Sequence, residues 1–328
     1  MQPSGEPAVP LPPVTPDPAD APRPPTRAVL VMNTRARTLL GRPELAGEVV
    51  AALAQAGFLL SVVDDPTMSF PERIEAAIAD PAELLICGGG DGTIRTLAAR
   101  LAGTGRVLGV LPLGTLNLVA RDLGLPLDPV EAALALGTAA PRRIDVAEVN
   151  GQVFLCQSVI GVPNAIGRHR ERHRGKGFFR ALVRVAVAAA RALWRRRALR
   201  LAVTSPGWRR PWRVWTRALS VVSNDYEEAP GRFFSRPKLD GGVLTLYVSR
   251  RFSVIWSLKM LARMAIGSWK RSPDIAMISA TAFTILSQRR RLRVMNDGEA
   301  AVLMTPLRYT IRPGALTVLA PMREAVPA

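Results

Sequence analysis

Leu84-Leu85-Ile86-Cys87-Gly88-Gly89-Gly90-Asp91-Gly92-Thr93 is the stretch on which the reading of this chain turns. Four apolar residues of strand length run into consecutive glycines, and helical periodicity sets in directly afterwards, over Thr93–Ala102. Strand, glycine turn and helix make one βα unit. Glycines let backbone approach a phosphate without a Cβ in the way, and the free N–H groups of a helix start attract anions. Gly89, Gly90, Gly92 and Thr93 are therefore candidate phosphate contacts, the Thr93 hydroxyl adding a hydrogen bond. Asp91 is the odd member. An acid beside a phosphate repels it unless a cation intervenes, which suggests a Mg²⁺-linked role. The run lacks the Gly-Lys-Ser/Thr of a Walker A loop and the spacing of a dinucleotide fingerprint. A plain tight turn capped by Asp91 is the competing reading.

Working outward, the same alternation recurs on both sides. Ala28–Met32, Phe58–Val63 and Val107–Leu111 are apolar runs of strand length. Helices are predicted over Pro43–Ala56, from Pro71 and over Leu116–Leu123. Strands apolar throughout, alternating with helices, argue for a mostly parallel sheet covered on both faces. Pro112-Leu113-Gly114-Thr115-Leu116-Asn117 closes the next βα unit, and would stand beside the first loop at the carboxyl edge of the sheet. Gly114, Thr115 and Asn117 become candidate nucleotide contacts, although Thr115 alone could be an N-cap. Asn33 ends the first strand at the same edge.

The pattern changes after Pro141. Ile144–Val149, Asn150-Gly151 and Val153–Gln157 read as a hairpin, because Asn-Gly suits a type I′ turn. Strand-like runs follow at Leu199–Thr204, Trp212–Ser223, Val243–Val248, Ala282–Ile285 and Leu292–Met295. The expected organisation is a Pro-rich, disordered tail over 1–26, an α/β domain over 27–142 and a mostly antiparallel β domain with helical insertions over 143–309. Whether the segment 310–328 returns to the first domain is left open by the sequence.

Composition narrows the chemistry. The 328 residues are 48% hydrophobic and 21% charged, which supports a sizeable core. Two cysteines exclude a disulfide framework and a four-cysteine zinc site, and two histidines discourage a histidine-based mechanism. No apolar run reaches the roughly 18 residues of a transmembrane helix, and the Pro-rich start has no signal-peptide core. Lys and Arg number 44 against 26 acids, so the chain carries +18 and calls for an anionic partner. Residues 165–217 alone hold sixteen Lys/Arg and one acid, Glu171. Lys176–Arg200 reads as a helix with Arg180, Arg184, Arg191 and Arg195 on one side and Phe178, Leu182, Val185, Ala189 and Leu193 opposite. Val254–Lys270 repeats the pattern, with Lys259, Arg263 and Lys270 against Ile255, Leu258, Met260, Leu261 and Met264. All six tryptophans fall in this half. Basic faces with tryptophan suit an anionic membrane surface. Solvated arginines on an ordinary packed helix are the plainer reading. Nucleic acid has no recognised motif behind it, and arginines around His169 and His173 disfavour a metal there.

A third signal, Asn296-Asp297-Gly298-Glu299, is by itself only a turn. Together with Gly89–Thr93, the run Leu113-Gly114-Thr115-Leu116-Asn117-Leu118-Val119-Ala120-Arg121, Leu123–Pro126 and Ile144-Asp145, it makes the chain resemble the diacylglycerol kinase catalytic-domain family. That family includes bacterial lipid kinases and is related to sphingosine and ceramide kinases. The likeness spans about residues 27–320. It implies a nucleotide-binding α/β domain followed by a β-sandwich, with ATP in the cleft. It implies that Gly89–Thr93 line the ATP phosphates and that Thr115 and Asn117 meet the nucleotide. Asp91, Asp145 and Asp240 would hold Mg²⁺, and Asp297 with Glu299 would take the proton from a lipid hydroxyl. The expected activity is phosphoryl transfer from ATP to a membrane lipid such as diacylglycerol, by a protein peripheral on the inner, cytoplasmic face of the membrane. An NAD kinase of the same superfamily and a non-catalytic nucleotide- or lipid-binding protein are the alternatives. The chain departs from the family in three places. Its first loop reads Asn33-Thr34-Arg35-Ala36-Arg37, and Leu118 follows Asn117 where an acid is usual. Gly241 and Thr245 replace further acids after Asp240.

Overall fold

The computed structural model describes residues 26–161, 198–231, 234–250 and 254–322. Sixteen strands and seven helices fall within them. The α/β half runs β1 (Thr26–Met32), α1 (Arg37–Gly41), α2 (Leu45–Gln55), β2 (Phe58–Val63), α3 (Phe70–Ala79), β3 (Leu84–Gly89), α4 (Asp91–Leu101), β4 (Val107–Pro112), α5 (Leu118–Leu123) and α6 (Pro129–Leu136). The second half runs β5 (Ala140–Val149), β6 (Gln152–Phe154), β7 (Gln157–Ile160), β8 (Leu199–Thr204), β9 (Trp212–Thr216), β10 (Leu219–Ser223), β11 (Leu244–Ser249), α7 (Val254–Ala265), β12 (Ile275–Ala280), β13 (Ala282–Ser287), β14 (Arg291–Asn296), β15 (Glu299–Met304) and β16 (Leu307–Ala320).

Strands β2, β1, β3 and β4 lie side by side and parallel. Val29, Leu30, Leu85, Ile86 and Cys87 are fully buried because helices cover both faces, which is why these strands read as unbroken apolar runs. The chain goes from β1 outward to β2, then crosses back to β3 on the other side of β1. That reversal opens a crevice at the carboxyl ends of β1 and β3, the position where open α/β sheets bind ligands. The loops at Asn33 and Gly89–Thr93 flank it. Helix α3 starts on a capping box between Ser69 and Glu72 with Pro71 in its first turn, so the predicted start at Pro71 shifts by one residue.

In the second half, β12-β11-β10-β7-β14-β15 form an antiparallel six-stranded sheet. It stacks on a layer made of β5, β6, β8, β9, β13 and the first part of β16, around Phe154, Leu246, Phe283, Val294 and Tyr309. This is the β-sandwich the resemblance implies. The first sheet continues through it, because β16 pairs antiparallel with β5 and β13 and then parallel with β4. Asn150 and Gly151 both take positive φ, 48° and 78°, as a type I′ turn requires.

Several expected elements differ in detail. The single run Trp212–Ser223 is two strands in different sheets, β9 and β10, split where Thr216 Oγ1 bonds the carbonyls of Ala218 and Ser249. The run Val153–Gln157 is interrupted at Leu155-Cys156, whose amides leave the ladder for a side chain described below. The helix read over Lys176–Arg200 lies outside the described residues up to 197, and Leu199 and Arg200 belong to β8. Helix α7 ends at Ala265, so Lys270 is not on it. Lys270 instead pairs with Asp225 at 2.7 Å and lies over Trp269. The apolar residues of α7 divide. Met260 packs inward with Tyr226, Tyr247 and Trp269, while Ile255 and Leu258 face out.

Candidate active site

Helix α4 starts at Asp91 with Gly90 as its N-cap and no side-chain cap, so its first N–H groups have no partner from a capping side chain. The two polar loops touch. Leu113 N–H donates to Gly89 O at 3.1 Å, and a Cβ on Gly114 would stand 2.5 Å from Gly90 Cα. Glycine at 114 is thus required by the closeness of the two loops. On the other flank Asn33 Nδ2 donates to Thr93 Oγ1 at 3.2 Å across the crevice. Asn33, Gly89–Thr93 and Gly114–Asn117 therefore meet at one edge, as their positions after β1, β3 and β4 dictate.

Two of these residues are spent locally. Asn117 adopts a left-handed conformation (φ 50°), and its side chain clamps its own loop: Oδ1 accepts from Gly114 N–H at 2.8 Å and Nδ2 donates to Gly114 O at 3.2 Å. It shapes the second loop, which gives it a positioning role there. Thr115 is exposed at the mouth. Asp91 Oδ1 accepts from Val119 N–H at 3.2 Å, so it caps α5 and ties the first loop to the second. Burial raises the Asp91 carboxyl above its ordinary value; the Val119 amide counters this, and the charge of Asp297 adds to it.

The acidic turn of the second half comes down on this edge. A Cβ on Gly92 would collide with the Glu299 carboxylate, and Glu299 pairs with Arg95 on the next turn of α4. Asp297, at φ 47°, is 9% exposed and is held by three amides: Leu155 N–H donates to Oδ2 at 2.6 Å, Cys156 and Gln157 to Oδ1 at 2.8 and 2.9 Å. Burial raises its carboxyl above the usual range, and the three amides offset part of that rise. Arg95 contributes a further cue. Its Nε is buried and has no hydrogen-bond partner, a cationic donor left at the head of an uncapped helix. Arg95 lies four residues after Asp91, a spacing that places it on the same helix face and could have flagged it from sequence. The glycine cradles, the open helix start and this orphaned donor fit a phosphate-bearing ligand.

The expected metal set does not assemble. Asp145 Oδ2 accepts from Gly242 N–H at 2.7 Å and Oδ1 from Gly314 N–H at 2.8 Å, so both oxygens bind backbone. Asp240 is half-exposed with Arg142 at 3.8 Å, and Asp91 caps α5. No three His, Cys, Asp or Glu side chains gather as a metal site among the described residues. The reason lies in the departures noted in sequence: apolar Leu118, Gly241 without a side chain, and Thr245, whose hydroxyl bonds Ser279 at 3.0 Å. Asp91, Asp145 and Asp240 therefore do not gather as one direct ligand set among the described residues, and Asp145 ties β5 to two glycine turns. Asp145→Ala is expected to lower stability by about 1–3 kcal/mol, through the amides it strands, as urea denaturation would measure. Both cysteines are buried, and burial pushes the Cys87 thiol up to about 12 and raises that of Cys156 as well, so neither serves as a nucleophile at neutral pH.

Two family models match successive stretches of this chain: the diacylglycerol kinase catalytic domain over residues 27–149, and the YegS C-terminal NAD kinase beta sandwich-like domain over residues 160–320. A curated relative from Pseudomonas fluorescens, named probable lipid kinase YegS-like, is 30% identical over 261 residues, 76% of this chain and 81% of the relative. The chain belongs to the diacylglycerol kinase catalytic-domain family. A relative of the same name from Pseudomonas aeruginosa is 51% identical over 109 residues, 32% of this chain; that match spans only 36% of the relative's own length. Among solved structures, one from Bacillus anthracis superposes with TM-score 0.70 at 21% identity, covering 91% of this chain and 98% of that one. A second from the same organism, described as a diacylglycerol kinase, gives 0.64 at 20% identity with the same coverage. At these identities the structural likeness speaks to the fold. Within this diacylglycerol kinase-like framework, the glycine turns fall in the stretch matched by the catalytic-domain model and the acidic turn in the stretch matched by the C-terminal one.

Proposed function

We propose that this chain transfers the terminal phosphate of ATP to the hydroxyl of a membrane lipid, diacylglycerol or a similar long-chain alcohol. One observation carries the reading. The acidic turn Asp297-Gly298-Glu299, about 200 residues downstream of the glycine loop, comes onto the open start of α4, with Glu299 on Gly92 and paired with Arg95. Phosphoryl transfer needs placed phosphates, neutralised charge and one acceptor for the attacking hydroxyl's proton. The first N–H groups of α4, Thr93 and Arg95 are the groups that would hold phosphate. Asp297 is the acceptor: it is rigidly held, and its Oδ2 keeps a lone pair beyond its one amide bond. Glu299, exposed and paired with Arg95, is less suited to that task and more to steering Arg95. As the lipid oxygen bonds phosphorus, the bond to the bridging oxygen breaks, ADP leaves with that electron pair, and the hydroxyl proton passes to Asp297.

The test is transfer of γ-labelled phosphate over a panel of lipids in mixed micelles. Label in a lipid product is expected. Label in NAD without micelles would replace the reading with the soluble alternative. ATP and vesicle binding with no turnover on any lipid would replace it with a non-catalytic binder.

A lipid substrate brings a membrane with it, and α7 supports an anionic one as partner. No helix among the described residues is long and apolar enough to cross a bilayer. On α7 and the turn that ends it, Ile255 (69% exposed), Leu258 and Ile266 (68%) point outward, with Lys259 exposed between them. Apolar residues with flanking cations are the composition of an interfacial helix. The protein is expected to sediment with anionic vesicles and not neutral ones, and to be released by high salt. Ile255→Asp with Ile266→Asp should lower that binding by about tenfold or more. Equal sedimentation with neutral vesicles would count against a peripheral, inner-face location.

A further inference from the structure

We infer that Asp122 and Arg236 form a buried strut that positions the acidic turn over the glycine loops, making Arg236 a positioning residue for the transfer. This inference rests on the kinase reading above and adds residues that no motif contains.

Arg236 lies between β10 and β11, 114 residues from Asp122 on α5, and both side chains are 3% exposed. A guanidinium has five N–H donors, and burial obliges each to find an acceptor. All five are accounted for. Nε donates to Asp122 Oδ2 at 2.9 Å, and Nη2 to the same oxygen at 2.6 Å and to Cys156 Sγ at 3.2 Å. Nη1 donates to the carbonyls of Leu155 at 2.5 Å and Ser223 at 3.1 Å. The backbone N–H of Arg236 closes the second Asp122 oxygen at 3.0 Å.

The ends of this strut matter more than its middle. Leu155 and Cys156, gripped by the guanidinium through a carbonyl and a sulfur, turn their amides the other way, onto Asp297. Asp122, at the other end, sits on a helix whose first turn is fixed by Asp91 through Val119 N–H and whose preceding loop is clamped by Asn117. A continuous path therefore runs from the glycine loop through α5, Asp122, Arg236 and Leu155-Cys156 to Asp297. A strut whose only purpose was stability would be poorly chosen, since a buried ion pair replaced by packed apolar residues is often no less stable. Its five-way geometry fixes where the 155–157 backbone lies, and hence where Asp297 points.

Lysine retains the charge but has three donors on one atom, so it cannot span the same acceptors. Arg236→Lys is expected to lower kcat per folded molecule by roughly 10²-fold, as misplacement by about 1 Å does. KM for ATP should stay within about threefold, because the glycine loops are untouched. Hydrogen exchange should quicken at the amides of Leu155, Cys156 and Gln157 but not along β3. Asp122→Asn, a gentler change, should move the same readouts in the same direction, with about a tenfold loss in kcat, and it serves if the lysine variant does not fold. Unchanged kcat per folded molecule with unchanged exchange at 155–157 would overturn the inference. So would an equal loss in kcat and ATP affinity, which marks general unfolding. If the wild-type protein phosphorylates no lipid, the kinase reading falls, and the exchange measurement still decides whether Arg236 holds the cradle of Asp297.

Discussion

Asp297→Asn should lower kcat for lipid phosphorylation by roughly 10²–10⁴-fold, the usual worth of a placed general base. Asparagine keeps an oxygen for the amides of Cys156 and Gln157 but sets its NH2 against the Leu155 N–H, so circular dichroism should show the fold retained while thermal unfolding reads a loss of about 1–3 kcal/mol. ATP binding should change little, since Asp297 meets the amide cradle and not the glycine loops. The pH profile carries a second signature. Only the deprotonated carboxylate accepts a proton, and burial holds the Asp297 carboxyl above its ordinary value of 3.8. Activity should therefore fall as pH drops through a value higher than that of an exposed aspartate, and the residual activity of the variant should lose this acidic limb. Full activity in Asp297→Asn, with Glu299→Gln inactive instead, would transfer the role to Glu299.

Gly114→Ala is expected to weaken ATP binding by about 100-fold or more while leaving the β-sandwich folded. The added Cβ would stand 2.5 Å from Gly90 Cα and 2.8 Å from Asn117 Oδ1. The first neighbour is backbone, which cannot rotate away, and the second holds the loop's own amide. Relief requires the two loops to part, and their joint surface is where phosphates are proposed to bind. Isothermal titration with ATP reads the loss directly. Alanine at Gly124, which has open space at its Cβ position but φ of 80°, should cost only modest stability and leave nucleotide affinity intact. Equal ATP affinity in Gly114→Ala and the wild type would remove the second loop from the site.

The parallel strands and their glycine turns were legible because burial on both faces imposes an apolar run and a phosphate edge imposes glycine. The hairpin at Asn150-Gly151 was legible for an equally local reason, its two positive φ angles. What stayed hidden was long-range pairing. The run Trp212–Ser223 has no Pro or Gly at the point where β9 and β10 part into different sheets, so nothing local announces the switch. Asp122 and Arg236 are ordinary charges in sequence, and only folding brings them together. The acids assigned to the metal show a different limit. Asp145 stands out in sequence beside Ile144, but that two glycine amides from residues 97 and 169 positions away would meet its carboxylate is set only by the fold.

The last strand has a consequence for how the chain is made. Because β16 is the neighbour of β4, the nucleotide half leaves the ribosome with one side of its central sheet bare. It stays so until the residues around Thr317 have been synthesised. Unpaired strand edges invite pairing with other chains. A message truncated anywhere before codon 317 should thus yield an insoluble product, not a smaller working nucleotide-binding protein, however intact its glycine loops.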